Sequence, residues 1–77
     1  MLEKLKIKAV YDDFIKNVSL TDEQIKILNM ILNKEKIIKI SMEIGVSERT
    51  VNYEIKKIKK LYEDYYNLQL YKALLLL

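Results

Sequence analysis

The residues best suited to chemistry lie between Gly45 and Lys60, in the stretch GVSERTVNYEIKKIKK. Arg49, Lys56, Lys57, Lys59 and Lys60 are basic there, opposed only by Glu48 and Glu54, while Asn52 and Tyr53 add neutral hydrogen-bonding side chains. Cations and an amide interleaved on one helical face suit a polyanion. Lysine and arginine meet phosphates or guanine edges, and asparagine can bond adenine through two hydrogen bonds. Other chemistries lack their parts. The chain has no histidine and no cysteine, so the commonest general base, metal ligand and thiol nucleophile are missing. No Gly-rich phosphate loop, serine–base–acid set or paired-carboxylate motif can be read from it. A non-enzymatic protein with no cofactor and no metal is expected.

Length and charge narrow the class further. Seventy-seven residues make one domain, 1–77, and a chain this short buries only about 60% of its unfolded surface, so oligomerisation often supports it. The net charge is +3, unevenly placed. From Lys34 to Lys60 eight basic residues face four acids, and the remainder is close to neutral. Such a segment is the footprint of a polyanion-binding face, although a solvated lysine surface would read the same way. No run approaches the roughly 18 apolar residues of a membrane span. The start, MLEKLKIKAV, has charges spread through it, unlike a secretory signal. The expectation is a cytoplasmic protein without membrane contact.

The elements that must position the basic face all read with helical period. Leu2, Leu5, Ile7, Val10, Tyr11, Phe14, Ile15 and Val18 form an apolar stripe, predicting a helix over 2–17. Thr21 followed by Gln24 predicts a capping box opening a helix over 22–33, with Ile25, Ile27, Leu28, Ile31 and Leu32 inward. Ile37, Ile40 and Ile44 predict a short helix over 37–44, ended by Gly45, the only glycine. Ser47 caps the next helix, which carries Val51, Ile55, Ile58, Leu61, Tyr62 and Tyr65 on one face. With Asn67 as the only plausible break, helices over 47–65 and 68–76 are expected, one continuous helix being the alternative. The fold class is all-α, a bundle of about five helices.

A short helix, a glycine, an apolar residue and a Ser-capped helix together predict a helix-turn-helix over 37–60. Ser41 is small where the two helices cross, Gly45 supplies positive φ, and Val46 and Val51 pin the turn into the core. The second helix then stands at a fixed angle with its outer face free, and a helix fits the major groove. An αα-hairpin with a glycine turn is the plainer reading.

These residues resemble bacterial transcriptional regulators. Gly45-Val46-Ser47-Glu48-Arg49-Thr50-Val51 with Ile55 is similar to the four-helix LuxR/GerE type, and Leu20-Thr21-Asp22-Glu23-Gln24 resembles the opening of that domain. Lys34 stands where that family usually carries a glycine, and Ile38-Lys39 where it has a polar–acidic pair. Residues 27–32 and 47–58 also resemble the winged BglG/DeoR type. A wing needs two strands and a turn, and residues 62–77 hold no Gly, Pro or Asn-Gly to make one, so none is expected. The extra helix in residues 1–18 has no counterpart in either motif.

The resemblance and the helical facing together imply roles. Arg49, Asn52, Tyr53 and Lys56 are expected to contact bases, and Lys36, Lys39, Ser47, Thr50, Lys57 and Lys60 to contact phosphates. Plainer roles stay open: Ser47 as a cap only, Thr50 bonded to its own backbone, Tyr53 packed over Val46, Glu54 paired with Lys57. In residues 61–77, Tyr65, Leu68, Tyr71, Leu74 and Leu75 are expected to form a homodimer interface, or else to close the core. Two recognition helices about 34 Å apart would then meet consecutive major grooves. The expected function is a small, sequence-specific, double-stranded DNA-binding transcriptional regulator. The alternatives are an oligomeric DNA-recruiting module resembling a phage small terminase, a sigma-region-4-like factor acting with RNA polymerase, and a helical protein–protein module.

Overall fold

The computed structural model describes residues 2–76, and every regular element in them is helical. A 3-10 turn, Glu3–Lys6, leads into α1 (Lys8–Asn17), followed by α2 (Asp22–Leu32), α3 (Ile37–Ile44) and α4 (Glu48–Leu75). α4 has 28 residues and, at about 1.5 Å per residue, a length of about 42 Å. It runs along most of the 47 Å long axis, and α1, α2 and α3 all pack against it.

Two expected helix boundaries are corrected. Residues 2–17 are not one helix: Ile7 is extended, at φ −78° and ψ 118°, between the 3-10 turn and α1. On a straight helix turning about 100° per residue, Leu5 would point half a turn away from Phe14. The break buries both, Leu5 to 1% exposure and Phe14 to 0%, and leaves Ile7 on the surface. Nor does a helix end near Asn67, because α4 continues to Leu75. Asparagine in a helix interior costs only about 0.7 kcal/mol against alanine, too little to interrupt a helix without glycine or proline. The five expected helices are thus four, preceded by a 3-10 turn. Leu77, the last residue of the apolar tail, lies outside the described residues.

The starts of α2 and α4 follow from their caps. Thr21 Oγ1 accepts from the Gln24 N–H at 3.1 Å while Gln24 Oε1 accepts from the Thr21 N–H at 3.0 Å, completing the capping box. Gln24 is almost buried, and its Nε2 donates to Glu54 Oε2 at 3.0 Å, tying α2 to α4. α3 is bracketed by left-handed backbone, Lys34 at φ 60° before it and Gly45 at φ 80° after it. A Cβ on Gly45 would meet nothing within 4 Å, so the backbone angle alone favours glycine there.

Ile27, Leu28, Ile40, Val51 and Ile58 are fully buried where α2 and α3 lie on α4. The N-terminal arm closes the other end. Phe14 packs edge-to-face with Tyr62, at 5.5 Å between centroids, and Tyr65, at 5.3 Å. The Tyr65 hydroxyl donates to the Asp13 carboxylate. Burial first, and that hydrogen bond second, push the Tyr65 phenol up to about 12. Tyr65, expected at a dimer interface, is therefore committed to packing within its own chain.

Candidate nucleic-acid interface

The outer face of α4 is fixed by what its inner face buries. With Val51, Ile58 and Tyr62 in the core, the helical step places Arg49, Asn52, Tyr53, Lys56 and Lys60 on the far side, and all five are exposed. The joint with α3 sets the direction of that face. The Ser41 carbonyl accepts from the N–H groups of Gly45, at 2.9 Å, and Val46, at 3.1 Å, the second being the bond of a Schellman-type helix end. Ser41 is nearly buried and satisfies its hydroxyl by donating to the Ile38 carbonyl at 2.8 Å. Across the turn, Ser47 Oγ accepts from the Thr50 N–H at 3.1 Å and lies 3.0 Å from Thr50 Oγ1. Ser47 is thus a cap, with a second hydroxyl beside it at the positive end of the α4 dipole.

Two shallow grooves run along this face. Arg49, Asn52, Tyr53, Lys56 and Lys59 line one. In the other, Tyr53, Lys56, Lys57 and Lys60 face Ser19 and Thr21 at the entry to α2. Tyr53 and Lys56 stand on the ridge between them. The Tyr53 ring is 59% exposed and carries the Lys57 ammonium 4.9 Å from its centroid, so it is a platform on the surface and not a peg in the core.

The cations fall into two groups. Lys39 lies 2.8 Å from Glu35, Lys57 3.8 Å from Glu54 and Lys60 3.2 Å from Asp64. Hydrogen bonds to those carboxylates hold the Lys39 and Lys60 ammonium groups above the usual lysine range. Solvent screens pairs at this exposure, so they contribute little, and a phosphate can displace the carboxylate. Among the described residues, Arg49, Lys56, Lys59 and Lys36 have no carboxylate within ion-pair distance. Lys36 and Lys39 are exposed at the start of α3 and line neither groove.

The structure therefore brings Arg49, Asn52, Tyr53, Lys56, Lys57 and Lys60 together, with Ser47 and Thr50 at the N-terminal end of the same helix. Lys36 and Lys39 sit apart on α3. Sequence reasoning counted Lys59 among the basic residues but gave it no contact, although it stands seven residues after Asn52, two helical turns on and so on the same side. It also passed over Ser19, whose place opposite the lysines depends on how α2 packs. Gln24 was legible as a cap only, since nothing in its type announces the bond to Glu54. Leu68, Tyr71, Leu74 and Leu75 are all exposed near the free end of α4. No helix among the described residues is long and apolar enough to cross a membrane. No protein-family model matches the chain, and no curated protein or solved structure matches it significantly.

Proposed function

We propose that residues 37–60 act as a helix-turn-helix and that the protein is a small, sequence-specific, double-stranded DNA-binding transcriptional regulator, working as a homodimer and similar in character to the LuxR/GerE type. One observation carries this reading: the exposed face of α4 gathers Arg49, Lys56 and Lys59, none with a carboxylate partner among the described residues, around Asn52 and Tyr53. A helix held at a fixed angle with such a face outward fits the major groove. Arg49, Asn52, Tyr53 and Lys56 are the base-reading set, with Lys59 beside them. Lys57 and Lys60 exchange their carboxylates for backbone phosphates, the Ser47–Thr50 hydroxyls sit at the helix end that favours anions, and Lys36 and Lys39 extend the phosphate contacts to α3.

Selection of bound duplexes from a random pool tests this. A defined consensus is expected, with affinity falling steeply as salt rises. Asn52→Ala should change the preferred base at one position of each half-site. Lys60→Ala should weaken all sequences alike and lower the salt slope by about 1. Binding to no duplex at low salt, by protein that is folded, would sink the proposal. The exposed end of α4 favours one further reading, an oligomeric module that recruits DNA for assembly. A ring of many subunits in solution would select that reading over the dimer, whereas capture of RNA polymerase by the monomer would select a sigma-region-4-like role.

A further inference from the structure

Beyond Tyr66, every described side chain of α4 except Gln69 is exposed, and the apolar stripe of the helix changes sides. Counting about 100° per residue from Val51, the core direction passes through Ile58, Tyr62 and Tyr65. Continued into the tail, it meets Gln69, Lys72 and Ala73 before Leu76 at the C-cap. Four of the tail's apolar residues, Leu68, Tyr71, Leu74 and Leu75, point the opposite way and are 51–67% exposed, while Leu70 lies between the two sides. Upstream, that same side carries Arg49, Tyr53, Lys56 and Lys60. One continuous helix thus presents a basic face and an apolar face in line, with the body packed behind the basic one.

We propose, resting on the DNA-binding reading above, that two copies of this chain pair in parallel through Leu68, Tyr71, Leu74 and Leu75 and hold one duplex in the fork between their basic faces. An antiparallel pair would turn the two basic faces in opposite directions, with no single straight duplex in reach of both. A parallel pair turns them toward each other, and the bodies remain outside because α1, α2 and α3 pack on the opposite side. Lys60 and Leu68 are eight residues apart, about 12 Å along the axis, which leaves room for the helices to diverge.

Charge and area decide how the pair forms. Lys72 is the only charged residue from Asn67 to Leu76, and it lies on the core side of the helix, away from the seam. The seam itself is therefore free of like charges. Its four apolar side chains from each copy cover on the order of 1,000 Å² in all, the lower bound for a specific interface. Opposed basic faces meanwhile repel until a polyanion enters. The pair is weak in free solution and is completed by the duplex. Half-sites should consequently abut and be read from opposite sides of the DNA, as by helices that fork from a coiled seam, and not lie a full turn apart on one side.

The absence of cysteine among the described residues gives a direct test. Leu68→Cys, Leu75→Cys and, as a core-side control, Ala73→Cys are oxidised singly and in mixture, with and without a duplex from the selected pool. Disulfides need Cα atoms within about 7 Å. Parallel pairing predicts that Leu68→Cys and Leu75→Cys each form homodimeric disulfides, increased at least several-fold by duplex, while Ala73→Cys does not. Cross-links only in the mixture of Leu68→Cys with Leu75→Cys, or none above the control, would overturn the parallel pair even if DNA binds. A consensus with half-sites one turn apart would overturn it too. Homodimeric disulfides in a protein that binds no duplex would instead remove the DNA reading and leave the pairing standing.

Discussion

Gly45 and Lys34 bracket α3 with left-handed backbone, and only one of them is suited to it. A side chain in that region costs about 1–2 kcal/mol. Gly45→Ala should therefore lower the unfolding free energy by about 1 kcal/mol, and Gly45→Asn by less, because asparagine tolerates the conformation. The empty space around Gly45 means that no clash adds to this. Lys34→Gly should have the opposite sign and raise stability by about 0.5 kcal/mol, relief of strain being partly offset by a freer unfolded chain. Urea denaturation of the three variants checks both, and a Gly45→Ala midpoint equal to that of the unmodified chain would refute the assignment. Gly45 was legible because glycine marks such positions by its type. Lys34 was not legible, because nothing in a lysine's chemistry marks a left-handed position.

Whole elements were legible where a residue carries its own stop or start signal. α2 and α3 begin and end within a residue of expectation, because Thr21 with Gln24 and Gly45 make specific backbone bonds. The break at Ile7 was not, and the continuity of α4 was legible only as the alternative, for a physical reason. The first depends on where Leu5 finds a cavity, the second on the absence of any strong signal at Asn67. The side chains of the candidate interface were legible as a helical face. Their neighbours from the entry to α2 depend on tertiary packing, so no local pattern shows them. The joint between α1 and α4 is equally non-local, and it makes a pH-dependent prediction. The Tyr65 phenol ionises at about 12 in the fold, against about 10 in an unfolded chain. Its contribution to stability is complete below about pH 10 and is lost as pH rises through 12. In a tyrosinate absorbance titration, one of the six tyrosines should ionise last. Tyr65→Phe should remove that phase, and Asp13→Asn should move it partway down. An unaltered high-pH limb in Tyr65→Phe would refute the assignment of that phase to Tyr65.

At the scale of the molecule, a packed body ending near Tyr66 is joined to a tail that shares its longest helix but little of its core. Lys4 over the Tyr66 ring, 5.0 Å from the centroid, is the last cation–ring contact holding the N-terminal arm against α4. Leu70→Pro should therefore melt the tail, by about 3 kcal/mol of local helix stability, and spare the body. Its thermal midpoint should stay within about 4 °C, equivalent to under 1 kcal/mol for a domain of this size, while the far-ultraviolet helix signal falls by the tail's share. A larger fall in midpoint would mean that the tail is part of the folding unit.

The change of sides in the apolar stripe also governs the order of the tail itself. With almost no burial behind it, the segment from Leu68 onward is held chiefly by helix propagation, at about 1–1.6 per residue near 0 °C and less when warm. Its conformational entropy must be given up when a second copy docks, so ordering and association form one equilibrium. The reach of one copy for another is then set by temperature as well as by concentration.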